Sequence, residues 1–455
     1  MNNDTICAPA TAPGGALGII RVSGPEAFSI VSSLCSVCCA NCAANTIHYT
    51  HIADCSDIID EAMISIFCAP HSYTGENSVE ISCHGSRYIL SKVLELLVQH
   101  GCRMANPGEY TQRAYLNGKM DLSQAEAVAD LIASTNEATH HLAMSQLRGG
   151  ISSELSAMRE QLLKLTSLLE LELDFSDHED LEFADRNDLS DLAVKIDNRI
   201  VTLAHSFETG QAIKNGIPVA LVGKTNVGKS TLLNKLLHDD RAIVSPIHGT
   251  TRDTIEDAID IQGVTFRFID TAGIRQTSDK VEQIGINRTY AAIEKARIIL
   301  WIIDAAPSIE EIDDMFNRAK GKSLLIIRNK IDIQRPSDLD LLVHPLPNNK
   351  IAIEIPAKKE INLDKLEKAI FQAANIQEFS EQDIIVTSAR QYQSLTRAHE
   401  HLSCVISGLE TNLSGDLISE DLRLVLDDLA DITGQGRIVT DEVLGNIFQH
   451  FCVGK

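Results

Sequence analysis

The chain has 455 residues, 44% of them hydrophobic and 23% charged. That length carries about three domains, and the composition excludes wholesale disorder and fibrous architectures. The formal net charge of −23 excludes indiscriminate adhesion to nucleic acid or anionic lipid, because phosphate binding needs a basic face that releases counterions, so any RNA contact must be local or shared.

Residues 1–118 mix short β-like runs (ALGIIRVSG, AMISIFCAP, NSVEISCHG) with the helical pattern RYILSKVLELLVQHG, the grammar of an α+β domain. The opening MNND is acidic where a secretory leader is basic, and no apolar run reaches the length of a membrane span, so a cytoplasmic location is expected. Eleven cysteines without such a leader read as reduced thiols. CSVCCANC sets Cys35, Cys38, Cys39 and Cys42 in two overlapping C-x-x-C spacings. Zinc sites draw their pairs from separate knuckles, so a thiol-rich surface segment is the expectation and a metal site the alternative.

Helical spacing takes over from about Leu122, with Ile151, Leu155, Met158, Leu162 and Leu165 falling on one face. An acidic stretch, ELELDFSDHEDLEFADRNDLSD, interrupts it and reads as a solvated loop or helix face. From GIPVALVG to about Ala374 strands alternate with helices, as in a parallel sheet with crossover helices. IILWIID at 298–304 has the look of a buried strand. Helical periodicity returns after Gln377. Amphipathic flanks must bury their stripes, so the two flanks are expected to form one bundle into which the α/β domain is inserted; an independent C-terminal helical domain is the alternative. The expected divisions are 1–118, 119–212, 213–375 and 376–455.

GKTNVGKST, residues 223–231, fits the phosphate-loop pattern between an apolar strand and a helical run. Gly223 and Gly228 let backbone N–H groups curl around phosphates, Lys229 neutralises the β- and γ-oxygens, and the Ser230 hydroxyl ligates Mg²⁺. Asn226, Val227 and Thr231 complete this contact set. SPIHGTTRD offers Ser245, Pro246, Ile247, His248, Gly249 and Thr250 to the nucleotide, with Thr251 as second hydroxyl ligand for Mg²⁺. DTAG adds Asp270, Thr271, Ala272 and Gly273, the aspartate for the magnesium shell and the glycine N–H for the γ-phosphate. In NKID the Asp332 carboxylate accepts from N1–H and the 2-amino group of guanine, which adenine cannot offer, so GTP is the expected nucleotide. Asn329 bonds the far edge of the base and Lys330 lies along it. Pro356, Ala357 and Lys358 stand where the base is backed, Pro356 replacing a serine.

Ile274 follows DTAG where a water-orienting glutamine is common. A monovalent cation beside the phosphates can supply the missing electrostatic work. Asn226, Ser245, Ile247 and Thr250 are its candidate ligands. Glu282 is a candidate to orient water, against the alternative of a solvated helix cap.

Taken end to end, GIIRVSG, SYTGENSVEISCHG, NPGEYTQRAYLNGKMDLSQAEAVADLIA, DTAGIRQTSDKVEQIGI and the closing FCVGK resemble the tRNA modification GTPases of the MnmE (TrmE) family. The resemblance implies a P-loop GTPase domain inserted into an α-helical bundle and preceded by a folate-binding domain that dimerises. It implies potassium dependence, with the ion on Asn226, Ser245, Ile247 and Thr250 and catalytic roles for Glu282 and Lys229. It also implies a 5-formyl-tetrahydrofolate-like one-carbon donor held by Arg21, Glu80, Lys119 and Lys455, with Cys452 near that chemistry. The reading that follows is a homodimeric GTPase acting with an FAD- and NADH-dependent partner, in a heterotetramer or larger complex, on the wobble uridine of tRNA. Its rival is a GTPase that times an assembly step without modifying RNA.

Overall fold

The computed structural model describes residues 4–55, 57–174, 186–238, 257–269, 290–329, 350–355, 363–375, 384–434, 444, 447–449, 451 and 454. The chain divides into two compact units. One joins Met1–Ala133, Ala143–Ala204 and Ser388–Lys455; the other joins Ser134–Leu142 and His205–Thr387.

The first unit opens with strands β1 (Ile6–Pro9), β2 (Leu17–Ser23), β3 (Thr46–Asp54), β4 (Asp57–Phe67), β5 (Ser78–His84) and β6 (Arg103–Met104). They form a sheet of order β3-β4-β5-β2-β1-β6, antiparallel throughout except for the β1–β6 pair. Alternation divides its faces. Ile20, Val22, Ile64, Ile66, Val79 and Ile81 are buried with Val31 of helix α1 (Ala27–Leu34) and Leu90, Val93 and Leu97 of α2 (Arg87–Gln99). The opposite face carries Leu17, Ile19 and Arg21 on β2 beside His84, Ser82 and Glu80 on β5.

The cysteine cluster lies on a largely exposed segment, with Cys38 itself exposed. One of its thiols turns inward: Cys39 is fully buried in the sheet's core, with Cys35 and Cys42 packed against it. A hydrogen bond to Cys39 and burial push the Cys35 thiol far above its ordinary range. The ten described cysteines are free thiols, and no group of three or more His, Cys, Asp or Glu among the described residues could hold a metal ion.

An ion-pair network fastens this domain to the short helix α3 (Glu109–Leu116). Arg113, nearly buried, meets Asp4 at 2.7 Å, Glu109 at 3.0 Å and Glu76 at 3.2 Å. Arg103 reaches Asp4 at 2.7 Å and Glu109 at 2.5 Å. Burial pushes both Asp4 and Glu109 up, and the two arginines more than offset it, leaving both carboxyls below their ordinary values.

Helices follow: α4 (Leu122–Ala133), α5 (Glu137–Leu147), α6 (Gly150–Asp174) and α7 (Arg186–Asn215), and, beyond the second unit, α11 (Ala389–Glu410) and α12 (Gly415–Thr433). The stripe Ile151, Leu155, Met158, Leu162 and Leu165 is buried. α12 packs on α11, on α6 and on α4, so helices from both flanks share one core. Glu126 of α4 binds this junction: it accepts from Arg390 Nε at 2.8 Å and Gln391 Nε2 at 2.9 Å. Arg390 also caps the end of α12 through the carbonyls of Asp431 and Ile432.

The second unit holds β7 (Ile217–Val222), β8 (Asp257–Ile261), β9 (Val264–Ile269), β10 (Ile298–Ile303), β11 (Ser323–Asn329) and β12 (Lys350–Ile355), with helices α8 (Lys229–His238), α9 (Ile309–Arg318) and α10 (Leu363–Ala373). The sheet order is β12-β11-β10-β7-β9-β8, parallel except between β8 and β9. All six residues of β10 are buried, as a central strand covered on both faces requires. Ile298, Leu300 and Ile302 pack with Leu232, Leu236, Leu366 and Ile370; Ile299, Trp301 and Ile303 pack with Ala292, Ile293 and Met315.

Residues 134–142 belong to this unit, although helical spacing placed them with the bundle. The cause is local: Asn136 Nδ2 donates to Thr265 Oγ1 at 2.7 Å, the Ala138 N–H to the Gly263 carbonyl at 3.2 Å, and Leu142 packs with Ile213 and Ile385.

Candidate functional site

In the second unit β7 lies between β10 and β9, where the strand order reverses. A crevice at the carboxyl ends of parallel strands at such a point is where α/β sheets bind ligands. The chain leaves β7 at Val222, turns through residues 223–228 and enters α8 at Lys229. This places a run of backbone N–H groups at a helix N-terminus, an anion site by geometry and dipole.

Two backbone requirements shape the loop. Asn226 has φ 64, a left-handed conformation that asparagine tolerates. Gly228 has φ +99, and a Cβ there would lie 2.2 Å from Asn329 Nδ2. Lys229 Nζ donates to the carbonyls of Gly223 and Lys224 at 2.5 and 2.7 Å, and burial lowers its pKa. Its charge is thus held over the loop, ready to exchange carbonyls for phosphate oxygens. Ser230 and Thr231 follow in the first turn of α8. Lys224 pairs with Glu311 of α9 at 2.7 Å, a contact that motif spacing does not reveal.

Asn329, at the end of β11, is 5% exposed, and its Nδ2 donates to the Val227 carbonyl at 2.7 Å. The structure therefore brings the first residue of NKID onto the phosphate loop itself. Ser245, Pro246, Ile247, His248, Gly249, Thr250, Thr251, Asp270, Thr271, Ala272, Gly273, Ile274 and Glu282 lie outside the described residues. So do Lys330, Asp332, Pro356, Ala357, Lys358, Cys452 and Lys455.

In the first unit, Arg21 and Glu80 face each other across β2 and β5. Arg21 Nε and NH2 both donate to Glu80 Oε1, at 2.9 and 2.7 Å, and NH1 reaches the Gly454 carbonyl at 3.4 Å. The guanidinium carbon lies 5.4 Å from the Tyr73 ring centroid and 5.5 Å from that of Tyr110, whose hydroxyl donates to the Arg21 carbonyl at 2.7 Å. Arg21 and Glu80 thus hold each other as an ion pair. Lys119 meets the neighbouring loop instead, donating to the Pro70 carbonyl at 3.0 Å. It also lines a cleft of about 390 Å³ with Tyr115, Asp121, Gln124 and Gly434.

The chain's end reaches this site by close packing. Gly454 has φ +94, and a Cβ on it would stand 2.2 Å from the Pro9 carbonyl. The aromatic residues before it, Phe448 and Phe451, pack with Leu122, Ala125 and Tyr115.

Two family models match: the "GTP-binding protein TrmE N-terminus" over residues 5–119 and the "MnmE helical domain" over residues 122–452. The chain is 52% identical over 468 residues to the tRNA modification GTPase MnmE of Bacteroides thetaiotaomicron, covering 100% of both chains. It is 51% identical over 497 residues to that of Phocaeicola vulgatus, covering 100% of this chain and 99% of the relative. The Flavobacterium johnsoniae protein of the same name is 48% identical over 468 residues, with 100% of both chains covered. Among solved structures, the G domain of the T. maritima FeoB iron transporter matches with a TM-score of 0.26 at 20% identity, over 35% of this chain and 98% of that one. A GTP-binding protein from Sulfolobus solfataricus in complex with GDP matches at 0.25 and 20%, over 48% and 67%. Matched by two family models along 5–119 and 122–452 and by these relatives along its whole length, the chain belongs to the MnmE (TrmE) family of tRNA modification GTPases.

Proposed function

We propose that this GTPase of the tRNA-modification family uses a hydrolysis-driven conformational cycle to promote addition of an aminomethyl-type group at C5 of the wobble uridine, position 34. The observation that carries this reading is the full-length identity of about one half to proteins named tRNA modification GTPase MnmE. In this reading residues 1–118 form the folate-binding and dimerisation domain, 119–212 and 376–455 the bundle apart from the segment 134–142 that joins the α/β unit, and 213–375 the GTPase domain. The protein works in the cytoplasm as a homodimer, with an FAD- and NADH-dependent partner that shares the tRNA. Among the described residues no helix is long and apolar enough to cross a membrane.

The phosphate loop binds GTP through Asn226, Gly228, Lys229, Ser230 and Thr231, and Asn329 couples the base-binding segment to it. Asp332 selects guanine. Ser230, in the first turn of α8 beside Lys229, and Thr251 would hold magnesium through their hydroxyls. Asn226, Ser245, Ile247 and Thr250 would hold potassium. Bound cations supply positive charge that stabilises the transferring phosphoryl group. Glu282 orients the attacking water. In the other unit Glu80 receives the N–H edge of a pterin from a 5-formyl-tetrahydrofolate-like donor, and Arg21, Lys119 and Lys455 complete that site. Cys452 of the closing FCVGK takes part in that chemistry.

Mass spectrometry of tRNA nucleosides tests the reading. A deletion strain should lose the C5 side chain from its wobble uridines and regain it with the gene restored. Unchanged nucleosides would instead establish the assembly-timing alternative.

A further inference from the structure

Glu80 spends one carboxylate oxygen and keeps the other. Both Arg21 donors fall on Oε1 at 2.9 and 2.7 Å, and no described group meets Oε2. Beside this pair stands Tyr73, 37% exposed, its ring centroid 5.4 Å from the Arg21 guanidinium carbon. That exposure does not come from a loose loop. The Tyr73 hydroxyl bonds Thr111 Oγ1 at 2.8 Å, Asn117 Nδ2 donates to the Thr74 carbonyl at 2.7 Å, Lys119 Nζ to the Pro70 carbonyl at 3.0 Å, and Ser72 Oγ to the Glu76 carbonyl at 2.6 Å.

The track on this face is closed at one end and open at the other. Ser23 and Ser78, next along β2 and β5 beyond Arg21 and Glu80, are buried, whereas Leu17 and His84 at the far end are exposed. A pinned, partly exposed aromatic ring beside a half-satisfied carboxylate is what a planar heterocycle with adjacent N–H donors requires: its edge meets the free oxygen and its face the ring.

We propose that Tyr73 is a further ligand-contact residue, the aromatic wall against which the pterin held by Glu80 Oε2 stacks. This rests on the folate reading above and adds a residue that sets preference for a head with a flat pyrimidinone ring.

The test is calorimetric titration of the full-length protein with 5-formyl-tetrahydrofolate. Tyr73→Leu should weaken binding about tenfold, the scale of one lost aromatic stack. Tyr73→Phe, which drops the bond to Thr111 and keeps the ring, should bind within about twofold of wild type. Equal binding by wild type and Tyr73→Leu overturns the inference alone, as does an equal loss in the Leu and Phe variants. No binding to the wild-type chain overturns the folate reading and this inference with it. If the Leu variant fails to fold, proton NMR on the wild-type protein decides: the reduced-ring methylene protons of bound ligand should shift upfield under the tyrosine ring, and an unshifted spectrum overturns the stack.

Discussion

Substituting Gly228 by alanine strikes the point where the phosphate loop and the base-binding segment meet. At φ +99 a side chain is strained, which costs about 1–3 kcal/mol. The new Cβ would also sit 2.2 Å from Asn329 Nδ2, forcing that amide off the Val227 carbonyl, which it now meets at 2.7 Å in a buried setting. Losing a buried hydrogen bond and stranding its partner costs about 1–3 kcal/mol more. Together the loop geometry that binds nucleotide becomes about 2–6 kcal/mol less accessible, so GDP affinity should fall about 30-fold to about 2 × 10⁴-fold. Titration with a fluorescent GDP analogue measures it. Because the clash needs the amide, Gly228→Ala combined with Asn329→Ala should lose less than the sum of the single variants. A Gly228→Ala protein binding within threefold of wild type, or strict additivity in the pair, would refute the reasoning.

Other expectations follow from the same geometry. GTP turnover should be at least tenfold faster in potassium than in sodium at equal ionic strength, and Glu282→Ala should depress kcat at least tenfold with nucleotide Kd within about twofold; steady-state kinetics and titration check both. Gly454→Ala should push the chain's end off Pro9 and weaken 5-formyl-tetrahydrofolate binding about fivefold, with GDP affinity as the reference. Asp4 and Glu109 have folded-state pKa values below their unfolded ones, so the unfolded chain binds more protons and their stabilisation is complete above about pH 5 and is lost as pH falls through the lower folded values. The thermal midpoint should therefore drop between pH 5 and 3. Glu109→Gln should flatten that dependence and, by leaving buried Arg113 underpaired, destabilise by about 3 kcal/mol.

Much of the architecture is legible wherever one period or one motif decides the local structure. The α6 stripe is buried because residues three and four apart share a helix face, and β10 reads as central because an unbroken apolar run suits a strand covered on both faces. GKTNVGKS predicts its loop because only a strand-to-helix turn with glycines can wrap phosphate. What escapes is partner choice. Residues 134–142 have helical spacing in either setting, and only the Asn136–Thr265 and Ala138–Gly263 bonds assign them to the α/β unit. Nothing in CSVCCANC says which cysteine turns inward, yet Cys39 is fully buried. That Arg21 faces Glu80 across β2 and β5, and that Asn329 reaches the Val227 carbonyl, is set by the fold and by no local pattern. The Arg113 network joins Asp4 to Glu109 across about a hundred positions of sequence, a distance that local pattern cannot span.

One GTP site drives one tRNA modification in this proposal, and a single substitution separates them. A deletion strain carrying Lys229→Ala should produce folded protein that still binds 5-formyl-tetrahydrofolate yet leaves wobble uridines without the C5 aminomethyl-type group, read by nucleoside mass spectrometry. Full modification in that strain, with GTP turnover shown to be lost, would contradict the claim that hydrolysis drives the chemistry.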